Sequence, residues 1–179
     1  TTSLPSVGGS TTTDYSGLAN HGNLSSTSFS VFTTPPLGWS LYFNGSASVS
    51  VASTTNIDLT STMTLMAYVY PTSLTASHII ISKGDSDVDR NYILEIDSSK
   101  KLRFSVGDGV SSQNVVTSTA MTTNTWYFVG ASFDASSNTA TLWLSTSQDF
   151  TSTITVNPAA NTDKFVVGAD NGGANRLTS

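Results

Sequence analysis

Apolar and polar residues alternate with a period of two along much of this chain. Val49 and Val51 alternate with Ser48 and Ser50, and Leu102, Phe104 and Val106 with Arg103 and Ser105. Successive side chains of a strand point to opposite faces, so this alternation predicts strands with one buried and one solvated face. Runs of this kind, or runs rich in β-branched residues, recur between turn residues at 39–43, 47–52, 63–70, 78–82, 91–96, 101–106, 113–118, 126–133, 138–144, 151–156 and 164–168. That is about eleven strands and no helix, which implies two packed antiparallel sheets. Asp97-Ser98-Ser99-Lys100 and Asp134-Ala135-Ser136-Ser137-Asn138 have turn composition, making 91–106 and 126–144 hairpins.

A chain of 179 residues is long enough for one such sandwich with a core of its own. Residues 1–13, TTSLPSVGGSTTT, cannot bury enough apolar surface to order themselves and read as a flexible arm or linker. The domain is therefore expected over 14–179. Charged residues are 11% of the chain, against about 25% in an average domain, so Ser, Thr and Asn must cover the surface. The net charge is −5 and the few basic residues are scattered, which disfavours a nucleic-acid partner. With no cysteine there is neither a disulfide framework nor a thiolate metal site. No apolar run approaches the roughly 18 residues of a membrane span, so membrane insertion is not expected. The chain starts at Thr1 rather than Met, which suggests a processed or excised piece.

Several landmarks, in order, resemble one family. Asp14-Tyr15-Ser16-Gly17-Leu18-Ala19-Asn20-His21-Gly22 is similar to the opening D-x-S-G-x-x-N-x-G of laminin G-like, concanavalin A-like jelly rolls. Leu41-Tyr42-Phe43-Asn44-Gly45 resembles their L-x-F-D-G, and Met63-Thr64-Leu65-Met66-Ala67-Tyr68-Val69-Tyr70-Pro71 their F-T-I-x-A-W-V-x-P. Ile81-Ser82-Lys83-Gly84, Tyr92-Ile93-Leu94-Glu95-Ile96, the hairpin Trp126–Leu144 and Val166-Val167-Gly168-Ala169-Asp170 continue the series. Asn44 and Tyr68 depart from the family's usual Asp and Trp. The resemblance implies an all-β, two-sheet antiparallel jelly-roll sandwich. The family closes that sandwich with a strand of the type G-x-I-D-D-V-R-I, which has no counterpart before Ser179. The last strand is thus expected to be missing, supplied either by a longer polypeptide or by a neighbouring subunit.

Glu95-Ile96-Asp97 resembles part of the E-x-D-x-E of a retaining glycosidase family on this fold class, but position 99 is Ser. Retaining hydrolysis needs a second carboxyl about 5–5.5 Å from the first, so no catalytic residue is assigned and the segment is expected to be a strand end entering a turn. His21 and His78 stand far apart, and without a third His or a Cys they support neither a zinc site nor a triad.

Asp85, Asp87, Asp89 and Asn91 offer alternating oxygen ligands of the kind Ca²⁺ takes. In calcium-binding laminin G-like domains the rim site combines an Asp before the equivalent strand, a carbonyl after the next strand, and a carbonyl with an Asn side chain from a later loop. The resemblance implies for those roles Asp89 or Asn91, the carbonyl of Val106 near Asp108, and Val156 with Asn157. Among the aromatics, Trp126 matches a core position of the family, whereas Trp143 stands between Leu142 and Leu144 and should face opposite to them. Trp143, Asp108 and Asn157 are the candidate ligand contacts. Asn23-Leu24-Ser25 and Asn44-Gly45-Ser46 match the glycosylation sequon.

The functional expectation is a non-catalytic adhesion or carbohydrate-binding module of an extracellular or virion-surface protein. Its partner would be a glycan or cell-surface ligand, and calcium a candidate cofactor. A structural assembly protein contacting neighbouring subunits (phage decoration, tail, fibre or filament) is the alternative. A lectin-like appendage of a larger secreted hydrolase is a third.

Overall fold

A computed structural model describes residues 11–25, 31–32, 40–85, 88–145, 147–170 and 172. In chain order the strands are β1 (Thr11–Thr12), β2 (Gly22–Leu24), β3 (Val31–Phe32), β4 (Ser40–Leu41), β5 (Val49–Val51), β6 (Thr62–Val69) and β7 (His78–Lys83). They continue with β8 (Tyr92–Ile96), β9 (Lys101–Gly107), β10 (Ser112–Ala120), β11 (Tyr127–Asp134), β12 (Thr139–Leu144), β13 (Ser147–Thr153) and β14 (Phe165–Val167). One 3-10 turn, Thr55–Ile57, is the only helical element among the described residues.

The large sheet has the order β1-β2-β5-β14-β7-β8-β9-β10 and the small sheet β13-β12-β11-β6, every pairing antiparallel, while β3 and β4 form a separate ribbon. β14 inserts between β5 and β7, far from both in sequence. This crossing of the chain makes the sandwich a jelly roll. The core lies between the sheets: Met63, Leu65, Val129, Phe133, Leu142 and Leu144 from the small sheet meet Ile80, Ile81, Leu94, Ile96, Leu102, Phe104 and Val106 from the large one.

The expected alternation holds where one face meets water. β12 buries Ala140, Leu142 and Leu144 and leaves Thr139, Thr141 and Trp143 half-buried on its other face. It fails in β7 and β8, which are buried on both faces. A bulge between Ile79 and Ile81 turns both Ile80 and Ile81 into the core, while Ile79 and Ser82 stay opposite Glu95 and Ile93 on the outer face. That outer face is covered rather than solvated, as described below.

Other boundaries moved. Thr11 and Thr12, expected in the flexible arm, pair with Asn23 and Gly22 as an edge strand; residues 1–10 lie outside the described residues. β13 begins at Ser147 instead of 151, with a bulge between Leu142 and Trp143 taking up the register. β1, β2 and β3 are too short to carry a readable period. β6 ends the small sheet, and among the described residues no strand lies beyond it.

Two close approaches need glycine. Gly168 has φ +84, and a Cβ there would sit 2.5 Å from the Phe43 ring. At Gly107 a Cβ would meet the Val88 carbonyl at 2.6 Å and the Arg90 carbonyl at 2.9 Å, so only glycine lets these residues lie against the end of β9.

Candidate functional site

Three loops converge on one rim of the sandwich. Gly109 N donates to Val88 O at 2.9 Å, Ala159 N donates to Gly107 O at 3.0 Å, and Asn161 Nδ2 donates to Asp89 O at 2.7 Å. Beneath them Lys83, the last residue of β7, is fully buried. Its Nζ contacts Asp58 Oδ1 at 2.8 Å, Asn161 Oδ1 at 2.9 Å, the carbonyls of Asn161 and Asp163 at 3.0 and 2.9 Å, and Ser53 Oγ at 3.2 Å. This oxygen cage around an ammonium is satisfied by the chain's own cation. It ties the 161–163 loop to the strands.

Above the cage, carboxylate oxygens of Asp85, Asp89 and Asp163 lie within 4.8 Å of one another. Burial, and then the charges of Asp85 and Asp89, raise the Asp163 pKa, while Lys83 opposes the shift. Calcium–oxygen distances are about 2.3–2.6 Å, so oxygens at this separation could ligate one ion. The cluster would supply only part of the six to eight oxygens Ca²⁺ takes.

The nominated rim residues fare differently. Asp85 and Asp89 come together, and Asp87 lies outside the described residues. Asn91 is buried as a strut: its Oδ1 accepts from Leu59 N at 3.1 Å, and its Nδ2 donates to Leu59 O at 3.2 Å and Ala159 O at 2.8 Å. Val106 sits inside β9, flanked by Tyr92 and Gln113 on the neighbouring strands. Val156 N donates to Gln113 Oε1 at 3.0 Å, and Asn157 is exposed. Asp108 shapes its own turn, Oδ1 accepting from Ser111 N at 2.7 Å and Val110 N at 2.9 Å, and these bonds lower its pKa. Asp163 was not anticipated. Its only sequence signal is the polar Asn161-Thr162-Asp163 stretch before β14, more than seventy residues from Asp89.

A second feature occupies the outer face of the large sheet. A pocket of about 160 Å³ is lined by Ser77, Ile79, Asp85, Arg90, Ile93, Glu95, Arg103 and Asp170. Ile79 and Ile93 are buried on this face, as are Arg90 and Asp170, which line the same pocket. Glu95, 4% exposed, pairs across the strands with Arg103, whose Nε and Nη2 reach Glu95 Oε1 at 2.7 and 2.5 Å. Asp97 does something else: its Oδ1 accepts from Ser99 N at 2.8 Å and Lys101 N at 3.0 Å, closing the turn. The Glu95-Ile96-Asp97 segment is therefore split between a pocket and a turn. Asp97 follows the turn expectation, but Glu95 does not simply end a strand.

Trp143 lies on the outer face of the small sheet, opposite Gly130, which in turn is opposite Met66. Its Cε3 is 3.4 Å from where a Gly130 Cβ would be, so the indole lies over the glycine. Tyr68 and Phe128 meet edge to face beside it, centroids 5.4 Å apart. Ile154 N bonds Asn138 O, placing the start of β12 near the 155–163 rim. Trp143 is four residues further along, about 13 Å at a strand's rise of roughly 3.3 Å per residue. Trp143 thus stands along the face of the small sheet, away from the Asn138 end of β12. Among the described residues no helix is long and apolar enough to cross a membrane.

The jelly roll, with its loop-built rim and polar pocket sunk in a sheet face, defines a lectin-type sandwich. The sequence model of the concanavalin A-like lectin/glucanases superfamily matches residues 43–179, and the chain belongs to that family. No curated protein matches. Among solved structures, a CBM40 of the Ruminococcus gnavus IT-sialidase, bound to α2,3-sialyllactose, is 13% identical with a TM-score of 0.60, over 69% of this chain and 74% of that one. Domain 4 of AbnA, an extracellular GH43 arabinanase of Geobacillus stearothermophilus in complex with arabinotriose, is 12% identical at 0.65, over 83% and 73%. Mouse laminin α1 domains LG4-5 are 16% identical at 0.58, over 76% and 37%. At these identities the likeness is one of fold.

Proposed function

We propose that this domain is a non-catalytic carbohydrate-binding module working in an extracellular or surface setting. The observation that carries the reading is the pocket on the large sheet, with charged walls over the buried Ile79 and Ile93, on a fold whose neighbours include modules bound to sialyllactose and arabinotriose. Ligand sites typically combine apolar lining with a few polar groups that fix orientation. The non-catalytic part is supported by Glu95. Its Oε1 accepts from Arg103 Nε at 2.7 Å, and Asp97, the next carboxylate of the segment, closes a turn instead of joining it in the pocket. For a calcium-assisted form of the same function, Asp85, Asp89 and Asp163 would hold the ion, which would draw the 84–91 and 161–163 loops together. The test is a glycan array with the whole chain, run with calcium and with chelator, beside hydrolysis assays on β-glucans, galactans and sialosides. Binding without turnover is expected. Turnover abolished by Glu95→Gln would overturn the non-catalytic reading, and an empty array the carbohydrate reading.

A further inference from the structure

We infer that the pocket over Ile79 and Ile93 takes one terminal, uncharged sugar ring and discriminates against acidic sugars. This rests on the carbohydrate reading above and specifies its site and ligand class. Size is the first reason: the pocket holds about 160 Å³, little more than the roughly 150 Å³ cavity that takes one benzene, so room for a single ring is all it can offer. A longer oligosaccharide would have to leave the pocket after its first residue. Chemistry is the second. Ile79 and Ile93 lie buried at the base of the pocket, and the surface a ring would meet is chiefly polar, carboxylates beside guanidinium groups. Sugar hydroxyls both donate and accept, and hydrogen bonds to charged partners are roughly twice as strong as neutral ones. Glu95 is set up for this role. Arg103 directs both its bonds at Oε1, and among the described residues nothing bonds Oε2. Further along the same face of β9, Ser105 is 1% exposed with its Oγ unpartnered among the described residues. This face therefore has polar capacity that its own chain does not use up.

Charge excludes the acidic sugars. Asp85, Glu95 and Asp170 outnumber Arg90 and Arg103, and Arg103 is already bound to Glu95. An added carboxylate would enter among like charges and find one guanidinium engaged, and like-charge juxtaposition is what rejects wrong partners.

The experiment uses the whole chain, with saturation-transfer NMR and calorimetry against methyl galactoside, glucoside, mannoside and arabinofuranoside, beside methyl galacturonide and a methyl sialoside. At least one neutral glycoside should bind, with the acidic ones at least tenfold weaker. Glu95→Gln should weaken the neutral ligand at least tenfold, about 1.4 kcal/mol. If that variant melts well below the parent, Asp85→Asn on the exposed lip replaces it, with a several-fold loss expected. A preference for the acidic glycosides would overturn this inference and leave the carbohydrate reading standing. Binding of none of them overturns both. Neutral binding indifferent to Glu95→Gln and Asp85→Asn but lost in Trp143→Ala would move the site to the small sheet and overturn the pocket.

Discussion

The two sheets present opposite kinds of outer surface. On the small sheet the outward face reaches solvent: Met66 is 62% exposed and Tyr68 46%, beside exposed Thr62 and Thr64 and half-buried Thr139 and Thr141. On the large sheet the outward residues of β7 and β8 are as buried as the core, and the buried groups include Glu95, Arg90 and Asp170. Strand sequence alone does not make this difference. Val88 and Arg90 lie over the end of β9, and Asp170 just after β14 joins the pocket lining, so that loops turn one face into a pocket. Burying charge is costly unless it is paired, and here the pairing is between neighbouring strands. The polar pocket therefore depends on the rim, whereas the aromatic face depends only on its own strands.

Removing the cation under the rim should break that dependence most severely. Lys83→Met leaves Asp58 without its buried partner, and losing one member of a buried pair costs about 3–5 kcal/mol. For a domain of this size that is a fall in melting temperature on the order of 10 °C, accompanied by loss of ligand binding. A calorimetric melt within a degree or two of the parent would mean the cage does not hold the rim.

A matched pair of glycines gives the next test. Gly107→Ala drives a Cβ against two backbone carbonyls, at 2.6 and 2.9 Å, and such overpacking costs about 1–3 kcal/mol. Binding should weaken as the loop lifts. Gly130→Ala meets only ring atoms at 3.4 Å or more. Its melting should move by about 0.5 kcal/mol or less, with a changed Trp143 fluorescence as the main sign. Equal effects at the two sites would contradict the difference between the faces.

The acidic cluster gives a smaller, pH-dependent effect. Asp163 keeps its proton to a higher pH in the folded chain than in the unfolded one. Its contribution therefore favours folding at low pH and is lost as pH rises from the ordinary carboxylate range through its raised pKa. Asp163→Asn should flatten that part of the stability profile. Calcium, if the cluster holds it, should raise the neutral-pH melting temperature by mass action, about 2.7 kcal/mol at a hundredfold excess over its dissociation constant. A profile identical in parent and variant, with no response to calcium or chelator, would argue against both.

The period-two pattern was enough to read the two-sheet architecture, because β9, β11 and β12 each place apolar residues on one face for at least six residues. The family landmarks added the jelly roll. Strands of two or three residues, such as β1 and β2, have no period to detect. The bulge at Ile79–Ile81 was hidden because three isoleucines in a row fit any register. The pocket was half legible: Glu95 attracted notice as part of a motif, but Arg103 seemed an ordinary solvated position, and only the β8–β9 register sets the two side by side. Asp85 and Asp89 were legible as oxygen ligands from one loop, but Asp163 was not, since its place beside them depends on the crossover that brings β14 beside β7.

The most direct test of the account is to map a bound neutral glycoside onto the backbone by amide chemical-shift perturbation. Shifts should concentrate on Ile79, Ile93, Glu95, Arg103 and the 84–91 loop, with Met66, Gly130 and Trp143 unmoved. Shifts centred on Met66, Gly130 and Trp143, with β8 and β9 silent, would contradict it.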